Sequence, residues 1–219
     1  MSIHQTEILA PEIELALAYT RPIHRPALRT FFELDLRLSR ILAGTNEPML
    51  GQMRLAWWRE TLSKPIHDRP SGDAVLDAIS EHWKGREDQL VKLIDGWENL
   101  LAEPPLGSDH ARAFALGRAG AMGGAFLDEE KQWNQSGAST MAWHWALADL
   151  AANVSLEEER EMLVELASEK ADGIRLSSPF KGIAVLGALS LRSLMKGGLP
   201  LMEGRGASIT AIRAAFFGR

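Results

Sequence analysis

Apolar residues recur along this chain at intervals of three and four, and alternating runs of β-branched residues are missing. That pattern predicts helices throughout. They fall near 11–19, 26–43, 47–62, 73–84, 87–101, 109–127, 138–152, 156–171, 179–195 and 207–217. The breaks between them carry their own punctuation. "GTNEP" at 44–48 offers Thr45 or Asn46 as an N-cap ahead of Pro48, since a short polar side chain and an early proline suit a helix start. "SKPIHDRPSGD" at 63–73 reads as a loop, and "AEPPLGSD" at 102–109 ends one helix and offers Ser108 or Asp109 to cap the next. No linker and no internal repeat interrupts the series. The expectation is one all-α domain over residues 1–219, a bundle of about eight to ten helices.

The segment "GQMRLAWWRETL" at 51–62 places two tryptophans side by side. On a helical period, Met49, Met53 and Trp57 stack on one line, and Leu55, Trp58 and Leu62 on an adjacent one. Together they make a broad apolar face, so Trp57 and Trp58 are expected to anchor the core. Arg54 lies near the border of that face and Arg59 falls largely opposite; the alternative reading has either of them pointing into an anion pocket.

Composition narrows the function classes. The net charge is −5 with the basic residues dispersed, which argues against a nucleic-acid partner. There is no cysteine, so thiol chemistry and disulfides are excluded. The N-terminus lacks the plan of a signal peptide. The longest apolar stretch, "GIAVLGALSL" at 182–191, is too short to span a bilayer and reads as a buried helix. A cytoplasmic protein is expected, with peripheral contact to the inner membrane as an option.

"RLAWWRETL", with "EPML" before it and "YTRPIHRPALRTFFELDLRLSRI" upstream, resembles the squalene/phytoene synthase family. "LVKLIDGWENLL" at 90–101, "ALGRAGAMGGAF" at 115–126 and "WALADLA" at 145–151 resemble further family segments. The resemblance implies an isoprenoid-synthase-like α bundle around a central cavity. It implies head-to-head joining of two prenyl diphosphates in active members. There, Mg²⁺ held by two Asp-x-x-x-Asp motifs neutralises the leaving diphosphate. A second branch of the family resembles this chain too, the assembly factors linked to respiratory complex I.

Both acid pairs are missing where the resemblance places them. Aligned on Arg25, the first falls at Ser39 and Ala43, with Asp35 the nearest candidate ligand. The second falls at about Ala152 and Leu156, where Asp149 stands alone and Glu157 to Glu159 read as a solvated helix start. Asp73 and Asp77 are spaced as a pair, but they open a helix after a loop and read as capping. Asp35 and Asp149 thus remain weak metal candidates, no cofactor is expected, and Mg²⁺ enters only if the chain is catalytic. Arg25, Arg29, Arg54 and Arg59 are the candidate contacts for a diphosphate.

Other features read as structure. Gly117, Gly120, Gly123 and Gly124 lie in a helical Ala/Gly context, which favours close helix approach over a phosphate loop. His144, between two tryptophans, reads as a core or rim histidine, and His24, His67, His82 and His110 as loop or surface residues. In the last helix Ile209, Ile212 and Phe216 make a short face, expected to pack on the bundle or a partner, with a membrane surface as the alternative. The resulting reading is a family-like bundle without metal-dependent ionisation, binding a prenyl lipid, a prenyl diphosphate or a protein partner. The rival is an active prenyltransferase of the squalene or phytoene type.

Overall fold

Residues 7–45, 47–170 and 178–217 are described by the computed structural model, and among them every regular element is helical. Eleven α-helices follow one another: α1 Pro11–Tyr19, α2 Arg25–Ala43, α3 Pro48–Ser63, α4 Ala74–His82, α5 Glu87–Glu98, α6 Ser108–Gly123, α7 Glu130–Gln135, α8 Ala138–Asn153, α9 Glu157–Ser168, α10 Lys181–Leu194 and α11 Gly206–Phe217. That exceeds the expected number by one short helix. At six residues α7 is under two turns, too brief to show a hydrophobic period.

Local chemistry explains the boundaries. Proline stands in the first turn of α1, α2 and α3, where its missing N–H has no partner to lose. Asp73 caps α4, accepting from the amides of Val75 and Leu76. Other caps differ from expectation. Thr45 Oγ1 donates back to Ile41 instead of capping α3, Asn46 lies outside the described residues, and Gly107 stands at the cap of α6. Glu159, expected in solvent, is buried and accepts from the Leu106 amide at 2.7 Å.

The bundle is arranged around α8, whose side chains from Met141 to Ala148 are all buried, as befits a helix enclosed on every side. α6, α9 and α10 surround it, and α1 and α11 lie on α10. α5 carries α3 and α6 on its flanks, while α4 packs on α2. The buried apolar residues form one contiguous core from Leu9 to Ala215.

Several helix pairs touch through glycine. A Cβ at Gly117 would stand 2.6 Å from the Lys92 carbonyl oxygen and 2.9 Å from Gly96 Cα, so the missing side chain sets the α5–α6 spacing. Gly123 and Gly124 lie equally close to Trp133 and Trp83, whereas Gly120 faces open space.

α3 corrects the reading of the tryptophan pair. Leu55, Trp58 and Leu62 are buried, but Trp57 is 44% exposed, and Met49 and Met53 are exposed with it. α3 lies mainly against α5, and one neighbouring helix covers one line of side chains, not two. Trp58 is the core anchor. Trp57 stacks edge-on over it from outside, ring centroids 5.2 Å apart.

Candidate functional site

α2 and α8 face one another across a cavity of about 630 Å³. α2 contributes Phe32, Asp35, Leu36, Ser39 and Ala43, and α8 contributes Trp145, Asp149 and Asn153. Both sets follow a helical repeat, so each helix turns a single face inward. Trp97 of α5, Phe114 and Arg118 of α6, and Ile13 and Glu12 of α1 complete the wall.

One buried cation organises it. Arg118 donates from Nε to Asp35 Oδ1 at 2.9 Å and from Nη2 to Asp35 Oδ2 at 2.5 Å. Its third nitrogen, Nη1, reaches Asp149 Oδ2 at 2.7 Å. Trp97 Nε1 adds a hydrogen bond to Asp35 Oδ1 at 2.7 Å. The guanidinium is also boxed by aromatic rings, with Trp145 at 4.0 Å, Phe114 at 5.1 Å and Trp97 at 5.2 Å from its carbon. Bidentate pairing and ring stacking are both properties of arginine that lysine lacks.

The electrostatics follow from one cation shared by several acids. Burial opposes the charge on Arg118, yet the charges of Asp35 and Asp149 outweigh it and raise its pKa, so it stays protonated. Burial pushes the Asp35 carboxyl up, against the pull of Arg118. Burial raises Glu12 as well, and the Asp149 charge adds to the effect. Counting the ionised forms, the lining sets three carboxylates, Glu12, Asp35 and Asp149, against two cations, Arg118 and Arg40, and Arg40 is itself paired with Glu7.

Asp35 and Asp149, read from the sequence as isolated metal candidates, are therefore brought together, but on a guanidinium. Mg²⁺ requires several hard oxygen ligands in near-octahedral array. Both oxygens of Asp35 are already engaged, and a fixed positive charge stands between the two acids. These residues do not fit the metal. Among the described residues no group of three or more His, Asp or Glu side chains converges as a metal site. Ser39 and Ala43 of α2, where the resemblance would put an acid pair, line the cavity. On α8 the inward positions are Asp149 and Asn153 rather than Ala152 and Leu156.

No family model, no curated protein and no solved structure matches this chain.

The four arginines proposed as anion contacts are not gathered in this cavity. Arg25 and Arg29 line a second hollow of about 460 Å³ between α2 and α4, with Glu33, Asp77 and Glu81. There Arg29 is paired fork to fork with Glu14, at 3.0 and 2.7 Å, and Arg25 donates to the carbonyls of Ala18 and Thr20. Arg59 clamps α3 to Asp95 and Glu98 of α5, and exposed Arg54 reaches Thr45. Neither lines either cavity.

Two histidines are placed by tertiary packing. His144 is buried, with Nε2 3.2 Å from the Ala167 carbonyl oxygen. His24 is also buried, against Phe126 and 3.6 Å from Glu129, which corrects its surface assignment. The residue that sequence reasoning missed is Arg118. Its signal was present: Ala111, Phe114, Ala115, Ala119 and Met122 make an apolar helix face with this lone arginine inside it.

Proposed function

We propose that this chain is a non-catalytic relative of the squalene/phytoene synthases that holds an isoprenoid-type apolar chain in the cavity between α2 and α8. The observation that carries the reading is Arg118 seated between Asp35 and Asp149. Prenyl diphosphate ionisation needs the leaving group's charge neutralised by metal, and the acids that would grip the metal are engaged by a side chain. A diphosphate also meets a poor electrostatic environment, because the buried cation is already matched by carboxylates. An apolar chain suits the wall of Phe32, Leu36, Trp97, Phe114, Trp145 and Leu150. A volume of about 630 Å³ lies inside the range of about 300–1,000 Å³ that takes one small ligand.

The test pairs an activity assay with a binding assay. Purified protein is incubated with farnesyl and geranylgeranyl diphosphate, with and without Mg²⁺, and the products are extracted. No squalene- or phytoene-type hydrocarbon is expected, and magnesium-dependent product overturns the reading in favour of a prenyltransferase. In parallel, farnesol and farnesyl diphosphate are titrated while thermal stability and tryptophan fluorescence are followed. Farnesol is expected to stabilise the fold by mass action and to perturb the emission from Trp97 and Trp145. Failure of farnesol to bind, or tighter binding of the diphosphate, removes the basis of the proposal.

A further inference from the structure

α11 is packed the wrong way round for a helix that ends its business at the bundle. Its buried positions are the alanines Ala207, Ala211, Ala214 and Ala215. Its large apolar side chains point the other way, with Ile209 64% exposed, Ile212 53% and Phe216 71%. They stand at i, i+3 and i+7, one continuous stripe. Burying alanine while exposing isoleucine and phenylalanine forgoes most of the apolar area the helix has to offer. The connection before it behaves likewise, exposing Met195 and Leu199. An exposed apolar stripe of this kind marks a docking face.

Charge identifies the occupant. Between Arg192 and Phe217 lie Arg192, Lys196, Arg205 and Arg213 against Glu203 alone, a local surplus of three positive charges in a chain whose net charge is −5. Lys196, Arg205 and Arg213 are exposed, and Arg213 stands one turn from Ile209 on the side of α11 that carries the apolar stripe. A second copy docked through this face would set the same basic residues against each other, since a twofold contact pairs a surface with itself. An anionic bilayer supplies the opposite charge and an apolar interior at once.

We propose that α11 and the connection leading into it form a surface that docks on anionic phospholipid membranes, with Ile209, Ile212 and Phe216 inserted and Arg205, Arg213 and Lys196 at the headgroups. This is docking on the surface, since among the described residues no helix is long and apolar enough to cross a membrane. The connection into α11 reaches α8, where a Cβ at Gly198 would stand 2.8 Å from Ala151. The proposal stands independently of whether the cavity takes a lipid.

The full chain is sedimented with phosphatidylglycerol-rich vesicles and with pure phosphatidylcholine vesicles, at low and high salt. Binding to the anionic vesicles is expected, weakened at least tenfold in phosphatidylcholine and markedly reduced by high salt. The double variant Ile209→Ser, Phe216→Ser and the charge variant Arg213→Glu are each expected to lose at least tenfold in partitioning. Their thermal midpoints should stay at wild type, because these side chains touch solvent. Met49→Ser with Met53→Ser, on an exposed apolar stripe elsewhere, is expected to leave vesicle binding unchanged. Absence of binding to anionic vesicles overturns the proposal, as does binding indifferent to the α11 variants. Light scattering decides against it too if the wild type is a dimer that Ile209→Ser, Phe216→Ser makes monomeric, because the face then belongs to a second copy.

Discussion

Arg118 holds three hydrogen bonds to two carboxylates in a position almost closed to water. Breaking a buried ion pair by removing one partner costs about 3–5 kcal/mol, mostly because the other charge is left stranded. Arg118→Met is therefore expected to lower unfolding free energy by that amount in urea titration. Arg118→Met with Asp35→Asn should recover a good part of the loss, since one stranded carboxylate is gone. An Arg118→Met variant within about 1 kcal/mol of wild type, the ordinary size of a point-mutation effect, would show that the cluster is not held as described. Tryptophans 57 and 58 separate two kinds of aromatic residue in one dipeptide. Trp58→Ala is expected to cost about 3–5 kcal/mol, the usual range for a buried tryptophan. Trp57→Ala, at a ring 44% exposed, removes an edge-on ring contact worth about 0.5–1.5 kcal/mol and only part of a buried side chain's area, so its cost is expected to stay below that of Trp58→Ala. Equal losses at the two positions would contradict the placement of Trp57 outside the core.

Helices in this bundle approach one another where side chains are absent. α5 and α6 meet at Gly96 and Gly117, and α1 meets α10 at Gly182, where a Cβ would stand 2.3 Å from the Ala16 carbonyl oxygen. Backbone atoms are the obstacle in both places, and backbone yields less readily than a side-chain tip. Gly117→Ala should therefore cost about 1–3 kcal/mol through overpacking. Gly120→Ala, one turn on with nothing within 4 Å, should gain up to about 1 kcal/mol from helix propensity. Thermal melts of the two variants give opposite signs if the α5–α6 contact is as described.

Across the molecule the cavity is an acidic place in an acidic protein. Of its acids Glu12 and Asp35 are raised, burial being the leading cause in each. A carboxyl raised in the folded state binds its proton more tightly there than when unfolded. Its contribution is present in full at low pH and lost as pH rises through the folded pKa. Glu12→Gln removes that loss. The variant is expected to melt higher than wild type at neutral pH, with the difference vanishing once pH falls below the ordinary glutamate value of 4.5. A gain that persists unchanged into acid would show that Glu12 acts through packing, not ionisation. The same surplus of acid makes the cavity a better host for an uncharged chain than for a diphosphate, which the farnesol titration measures.

Helix positions were legible in the sequence because their causes are local: a period of 3.6, a proline in the first turn, an aspartate at a cap. Ten of the eleven helices follow from those signals, and the exception is too short to carry one. Tertiary structure alone decided which of two adjacent apolar lines on α3 is buried, because the answer depends on the width of α5 beside it. It also decided that α11 turns its alanines in and its isoleucines out. Above all it joined Arg118 to Asp35, 83 residues away, and to Asp149, 31 residues away. Sequence spacing says nothing about such a meeting, because the charges select one another only once packing has removed water from between them.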